Sequence, residues 1–280
     1  MWPLDPPAIT ARNSYNACVA STKDPYRRTL LLAAGDSVEA AGERFRQAAQ
    51  ARTLHELLDA DFTVPGVPSQ DAVQWIYGNG MVNTQLGRAV YDQLMAAPED
   101  ERCPLCGHGV VRTLDHFLPK RMFPALCVDP LNLVPACADC NHAKGDARPV
   151  DAETTPLHPY LDHIDNDSWL DARVAGTDPV WLEFYVSPPP TWDALLIDRT
   201  RHHFDLFGLA KLFSVQANRT VNNIRQYLTS AFAAGGADLV RAYLTEEAST
   251  RLAHRPNGWE GVTYRTLALD DSFCGGATFT

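Results

Sequence analysis

Four cysteines stand in two CxxC pairs, Cys103-Pro-Leu-Cys106 and Cys137-Ala-Asp-Cys140, with 30 residues between the pairs. Four thiolates in this pattern suit a tetrahedral Zn²⁺ whose coordination positions are all filled. The tight CxxC turn points both sulfurs of a pair at one ion, and Gly107 helps the backbone fold beneath the first pair. Closed thiolate sites of this kind stabilise folds and rarely catalyse. A single CxxC also suits redox chemistry, but two pairs in one short segment favour the metal. His108 lies beside the first pair, and four cysteines leave it unneeded as a ligand.

Polar groups able to hold a second metal and supply a base lie between and just after these pairs. They come in three strings: Leu114-Asp115-His116-Phe117-Leu118-Pro119-Lys120, then Pro130-Leu131-Asn132-Leu133-Val134-Pro135, then Asn141-His142-Ala143-Lys144-Gly145. Carboxylate and amide oxygens suit a hard ion that keeps several waters, and a neutral imidazole suits proton abstraction near pH 7. Each group alone has a plainer reading. Asp115-His116 alone reads as a satisfied polar pair in a loop, Asn132 as a turn residue and Lys144 as a solvated charge.

In this order and frame, the segment from about Cys103 to Asp146 resembles the HNH endonuclease motif on a ββα-metal fold. The resemblance implies a first strand delivering the histidine, a loop, and a short helix presenting the last ligand opposite it. It implies that His116 is the general base, and that Asp115 and Asn141 are side-chain ligands of a catalytic Mg²⁺ or Mn²⁺. The ion would act as a Lewis acid on the phosphate and the leaving oxygen. Asn132 resembles the residue that braces the histidine's loop, and Lys120 and Lys144 are candidates for phosphate contacts. Family members differ over whether Asn or His is the last ligand. Asn141 and His142 therefore both stand as candidates, and His142 would shift the preference toward softer ions.

A wider likeness takes in Phe123-Pro-Ala125 and Leu157-His-Pro-Tyr160. Over that span the chain looks like HNH proteins of bacterial anti-phage systems, such as the nuclease subunit of Septu-type systems, which works with an ATPase. The implied function is hydrolysis of nucleic-acid phosphodiesters, DNA favoured, by a nuclease acting with a protein partner. The alternatives are an RNA (tRNA)-cleaving HNH nuclease, or a catalytically silent zinc-dependent module that binds nucleic acid or protein.

Composition constrains the setting. The chain has 280 residues, 45% of them hydrophobic, enough to bury a substantial core. Its net charge of −10 argues against a protein that coats nucleic acid non-specifically. Only residues 103–150 are not acidic, with five Lys and Arg against four Asp and Glu. A polyanion can approach there, while the acidic flanks point to delivery by a partner or by a small basic groove. The absence of a signal-like start and of long apolar runs predicts a cytoplasmic protein without a membrane span. Cys18, Cys127 and Cys274 read as ordinary thiols in a reducing compartment.

The scaffold expected from the rest of the chain is α+β: a zinc-stabilised ββα-metal module embedded in a mostly helical protein with a few additional strands. Residues 1–102 form a helical N-terminal region, irregular over 1–28, with helical periodicity over 36–61 and 69–97 and an interruption at Gly78 and Gly80. Residues 103–148 are the module, with a short hairpin around 107–114. Residues 149–280 are mixed: a strand at about 180–186, helices over about 203–247 parted at Gly235-Gly236, and a loop-like tail with one strand at Val262–Leu267. The flanking helices are expected to pack around the module as one body. His158 and His163 read as structural or surface residues, while His202-His203, after Arg199 and Arg201, fit a phosphate contact or helix-start packing equally well.

Overall fold

The computed structural model describes residues 1–177 and 180–277 and shows a mixed fold of many helices and two small antiparallel sheets. Two compact units divide it, Met1–His163 and Ile164–Thr280. The cysteine-bracketed segment is thus part of a larger unit with the N-terminal helices, and the C-terminal part is a body of its own.

The first unit begins with α1 (Ala11–Val19) and α2 (Pro25–Ala33), where the sequence reading expected an irregular start. Local capping explains both. The Thr10 hydroxyl accepts from the Asn13 amide, and the Asp24 carboxylate accepts from the Arg27 amide with Pro25 at the first helical position. The apolar face of α3 (Gly35–Gln50) buries Val38, Ala41, Phe45 and Ala48, and short 3₁₀ turns replace the helix expected to run on to residue 61. One turn of helix, α4 (Ser69–Ala72), leads into a π-helix at Val73–Val82, and α5 (Gln85–Met95) follows. Gly78 and Gly80 do not interrupt this coil. It ends at Asn83, and the Thr84 hydroxyl then caps α5 through the Gly87 amide. A Cβ on Gly80 would lie 2.5 Å from the Cys18 carbonyl oxygen, and one on Gly87 would lie 2.3 Å from that of Gly80. The two glycines let α1, the π-helix and α5 meet backbone to backbone.

Strand β1 (Thr113–His116) pairs antiparallel with β2 (Leu133–Ala136), Asp115 opposite Val134 and His116 opposite Leu133. The hairpin expected around 107–114 is only an isolated bridge between Arg102 and Val110; the ladder partner of β1 lies beyond a 16-residue loop. Helix α6 (Ala138–Lys144) follows β2 directly and packs on β1.

The second unit pairs β3 (Leu170–Thr177) with β4 (Val180–Val186); the 178–179 boundary of the expected strand lies outside the described residues. Then come α7 (Ala194–Leu206), the long α8 (Leu209–His254), α9 (Trp259–Leu269) and α10 (Asp271–Cys274). Gly236, at φ 65° and ψ −157°, breaks the regularity of α8 at the expected glycine pair. The strand expected at Val262–Leu267 is helical: α9 buries Val262, Tyr264 and Leu267 against α8 and β3. Its apolar run is short enough to fit either state, and packing decides. Asn257, just before α9, accepts from the Trp169 and Leu170 amides and donates to the Asp167 carbonyl.

Candidate metal and hydrolytic site

The four cysteine sulfurs converge. All are buried, their Sγ atoms lie within 4.8 Å of one another, and those of Cys106 and Cys137 are 4.0 Å apart. The edge of a tetrahedron drawn by Zn–S bonds is about 3.8 Å, so the spacing fits one zinc ion. Backbone amides already face the sulfurs, Gly109 to Cys106 at 3.3 Å and Cys140 to Cys137 at 3.4 Å. Gly109 must lack a side chain, since a Cβ there would lie 2.8 Å from the Cys137 sulfur. Hydrogen bonds from its neighbours, Cys103 first, hold the Cys106 thiol far below its ordinary range, while donation pushes Cys103 and Cys140 up. Four buried sulfurs gathered this closely suit a bound cation. The N-terminal segment covers it, with the Trp2 amide bonded to the Pro104 carbonyl.

Helix α6 begins on this cluster, capped by the Cys137 sulfur, so the cysteines fix where α6 lies against β1. That placement brings Lys144 onto the strand. Its Nζ lies 3.2 Å from Asp115 Oδ2 and donates to the carbonyls of His116 (2.8 Å) and Gly145 (3.3 Å). The Lys144 ammonium is buried and committed to these three oxygens, away from solvent. Asn141 is one turn earlier on α6, on the face of Lys144, and half-buried. His142 is exposed on another face.

The His116 ring is buried and held by one polar contact, Nε2 to the Cys127 carbonyl oxygen at 2.9 Å. A carbonyl only accepts, so Nε2 carries the proton and Nδ1 keeps its lone pair. Burial, and then the Lys120 ammonium, push the imidazole down to about 3, so it is neutral at pH 7. Burial also raises the Asp115 carboxyl to about 6, against the pull of Lys144. Among the described residues Asp115 Oδ1 has no hydrogen-bond partner, so this oxygen is open to a ligand.

Asn132 is fully buried behind the site. Its Oδ1 accepts from the Leu118 amide at 2.7 Å, and its Nδ2 donates to the carbonyls of Leu118 (3.1 Å) and Leu126 (3.2 Å). One side chain thus ties both ends of the loop between β1 and β2, well inside the fold. His158 stacks on Phe117, with ring centroids 4.4 Å apart, and bonds the Leu131 carbonyl; the Tyr160 hydroxyl bonds that of Leu133. Both brace the back of the same loop. His163 is exposed, and His202 and His203 lie in α7 of the second unit.

The π-helix adds a residue that spacing did not single out. Tyr77 packs edge-on against the His116 ring, centroids 4.7 Å apart, and Lys120 Nζ lies 5.3 Å from the Tyr77 ring centre. Lys120, half-exposed, is therefore at the mouth of the site. Carboxylate and amide oxygens suit a hard cation and a neutral imidazole can accept a proton, and β1 and α6, which pack together, carry these groups.

No helix among the described residues is long and apolar enough to cross a membrane. No family model and no solved structure matches the chain. It is 33% identical over 202 residues to protein ea31 of Escherichia phage lambda, a match covering 66% of this chain and 67% of that protein. On that identity and coverage, the chain belongs to the family of the phage lambda protein ea31.

Proposed function

We propose that the chain is a metal-dependent nuclease of the HNH type, hydrolysing phosphodiester bonds of nucleic acid with DNA as the favoured substrate. The observation that carries this reading is the His116 tautomer: Nε2 is tied to the Cys127 carbonyl, which leaves the Nδ1 lone pair free to accept a proton, on the strand residue that follows Asp115. The order of strand, loop, strand and helix, with the cysteine cluster at the base of the helix, supports it.

In this reading His116 Nδ1 takes the proton of the attacking water. Asp115 Oδ1 and the Asn141 amide oxygen would hold Mg²⁺ or Mn²⁺, which supplies electrostatic stabilisation of the phosphate charge when bound. His142, exposed on another face, is the weaker candidate for that role. Lys144 neutralises Asp115 Oδ2 and anchors β1 to α6, and Lys120 is left to contact phosphate. Asn132 holds the loop and touches no substrate. The four cysteines hold structural Zn²⁺. The acidic balance outside residues 103–150 favours a protein partner such as an ATPase subunit for delivery, and the anti-phage setting rests on the resemblance alone.

One observation favours a second reading, a silent zinc-dependent binding module: a lysine ammonium already neutralises the carboxylate. Plasmid nicking with Mg²⁺ or Mn²⁺ separates the two. Nicking by the wild type that is lost in a folded, zinc-loaded His116→Ala variant supports the nuclease. Equal activity in that variant removes His116 from the base role. Parallel incubation with RNA tests the alternative substrate, because the site addresses a phosphodiester and not a sugar.

A further inference from the structure

A second cleft lies on a different face of the π-helix from Tyr77. It has a volume of about 280 Å³ and is walled by the turn between α1 and α2, by Arg27 of α2, and by Trp75 and Asn79 of the π-helix. Small-molecule sites start at about 300 Å³, so this cleft is at the small end of that range and limits any ligand to about one nucleotide.

Its defining feature is a stack. The Arg27 guanidinium carbon lies 3.9 Å from the centre of the Trp75 ring. Arg27 makes no ion pair among the described residues, and its Nε is buried without a hydrogen-bond partner. A buried N–H without an acceptor is unfavourable, so the side chain is held at some expense to stability. Lys23, exposed at the rim, likewise has no ion pair among the described residues. The one carboxylate in the wall, Asp24, caps the Arg27 amide at 2.7 Å. With two cations and one engaged carboxylate, the cleft is locally positive in a chain of net charge −10.

Flat guanidinium and indole surfaces recognise flat rings, a lysine ammonium recognises phosphate as a point charge, and an amide reads a base edge. We propose that this cleft binds a single nucleotide, its phosphate at Lys23 and Arg27, its base on the Arg27–Trp75 stack, and its edge toward Asn79. The binding does not require cleavage at His116.

Calorimetric titration of the full chain with dTMP and AMP tests the proposal, with thymidine, adenosine and inorganic phosphate as controls. The expected result is saturable mononucleotide binding that exceeds each control by about tenfold or more, a desolvated cation–ring stack and a phosphate contact each being worth roughly that. Arg27→Lys keeps the charge but loses the plane, and it should weaken binding by about tenfold. Trp75→Leu should do the same, and the lysine variant decides if the leucine variant fails to fold. His116→Ala should bind as the wild type does, so loss of the nuclease reading leaves this test intact. Tighter binding of a thymidine tetranucleotide than of dTMP assigns the cleft to a strand, and equal binding assigns it to a free nucleotide; both keep the site. Absence of nucleotide binding, indifference to both cleft variants, or equal binding of inorganic phosphate overturns it.

Discussion

The Lys144 ammonium lies 3.2 Å from the Asp115 carboxylate, and both side chains are almost fully buried. The pair joins the last turn of α6 to the end of β1, with the His116 carbonyl as a third member. Removing one partner of a buried pair strands the other. Lys144→Met should therefore destabilise the protein by about 3–5 kcal/mol. Adding Asp115→Asn should restore much of that, because an amide tolerates the same site uncharged. Urea unfolding of the single and double variants measures the coupling. A single-variant cost below about 1 kcal/mol would mean that the pair does not hold the helix to the strand.

Asn132 uses its acceptor and both donor directions on Leu118 and Leu126 backbone groups. Asn132→Asp changes no shape but replaces the amide donor with an oxygen facing two carbonyls. The expected cost is about 2–5 kcal/mol, from two buried acceptors left unmatched and a charge without a partner. Chemical denaturation reads it. A variant as stable as the wild type would show that the loop is held by other contacts.

The chemistry-bearing strings were legible because their spacing is local. CxxC turns, a carboxylate next to a histidine, and an asparagine following the last cysteine can be read within a few residues. The α+β class and the Val180–Val186 strand came from composition and alternation. What stayed hidden depends on distant packing. The partner of β1 is beyond a 16-residue loop, and Lys144 looks like any surface charge until α6 lands on Asp115. The π-helix reads as an interrupted α-helix, because only close approach at Gly80 and Gly87 selects the wider coil. The α9 helix reads as a strand, since six apolar-rich residues fit both periods.

Asp129 is buried, its Oδ1 accepts from the Leu131 amide, and its Oδ2 has no hydrogen-bond partner. Burial raises its carboxyl to about 6 from an ordinary value of 3.8. The folded state thus binds the proton more tightly than the unfolded state. Its contribution is most favourable below about pH 4 and is lost as pH rises toward and past 6. Asp129→Asn abolishes that titration. The stability of the wild type relative to this variant should fall by up to about 3 kcal/mol between pH 4 and pH 7. Paired denaturant titrations across that range measure it, and zinc-linked effects common to both proteins cancel. A flat difference would show that Asp129 titrates normally.

Tyr77 packs against the His116 ring edge to face at 69°, placed to fix its plane. Such a pair is worth about 0.5–1.5 kcal/mol, and a base displaced by even an ångström loses about a hundredfold in rate. Tyr77→Phe keeps the ring and should leave both His116 and any nicking activity near the wild-type level. Tyr77→Ala opens that side to water and frees the imidazole. The nitrogen spectrum of His116 should show a single Nε2–H tautomer in the wild type and Tyr77→Phe, and an averaged one in Tyr77→Ala. Nicking, where the nuclease reading holds, should drop by about ten- to a hundredfold in the alanine variant alone. If Tyr77→Ala keeps the single tautomer, the Cys127 carbonyl is sufficient to orient the base, and Tyr77 is left as a wall of the site rather than a positioning residue.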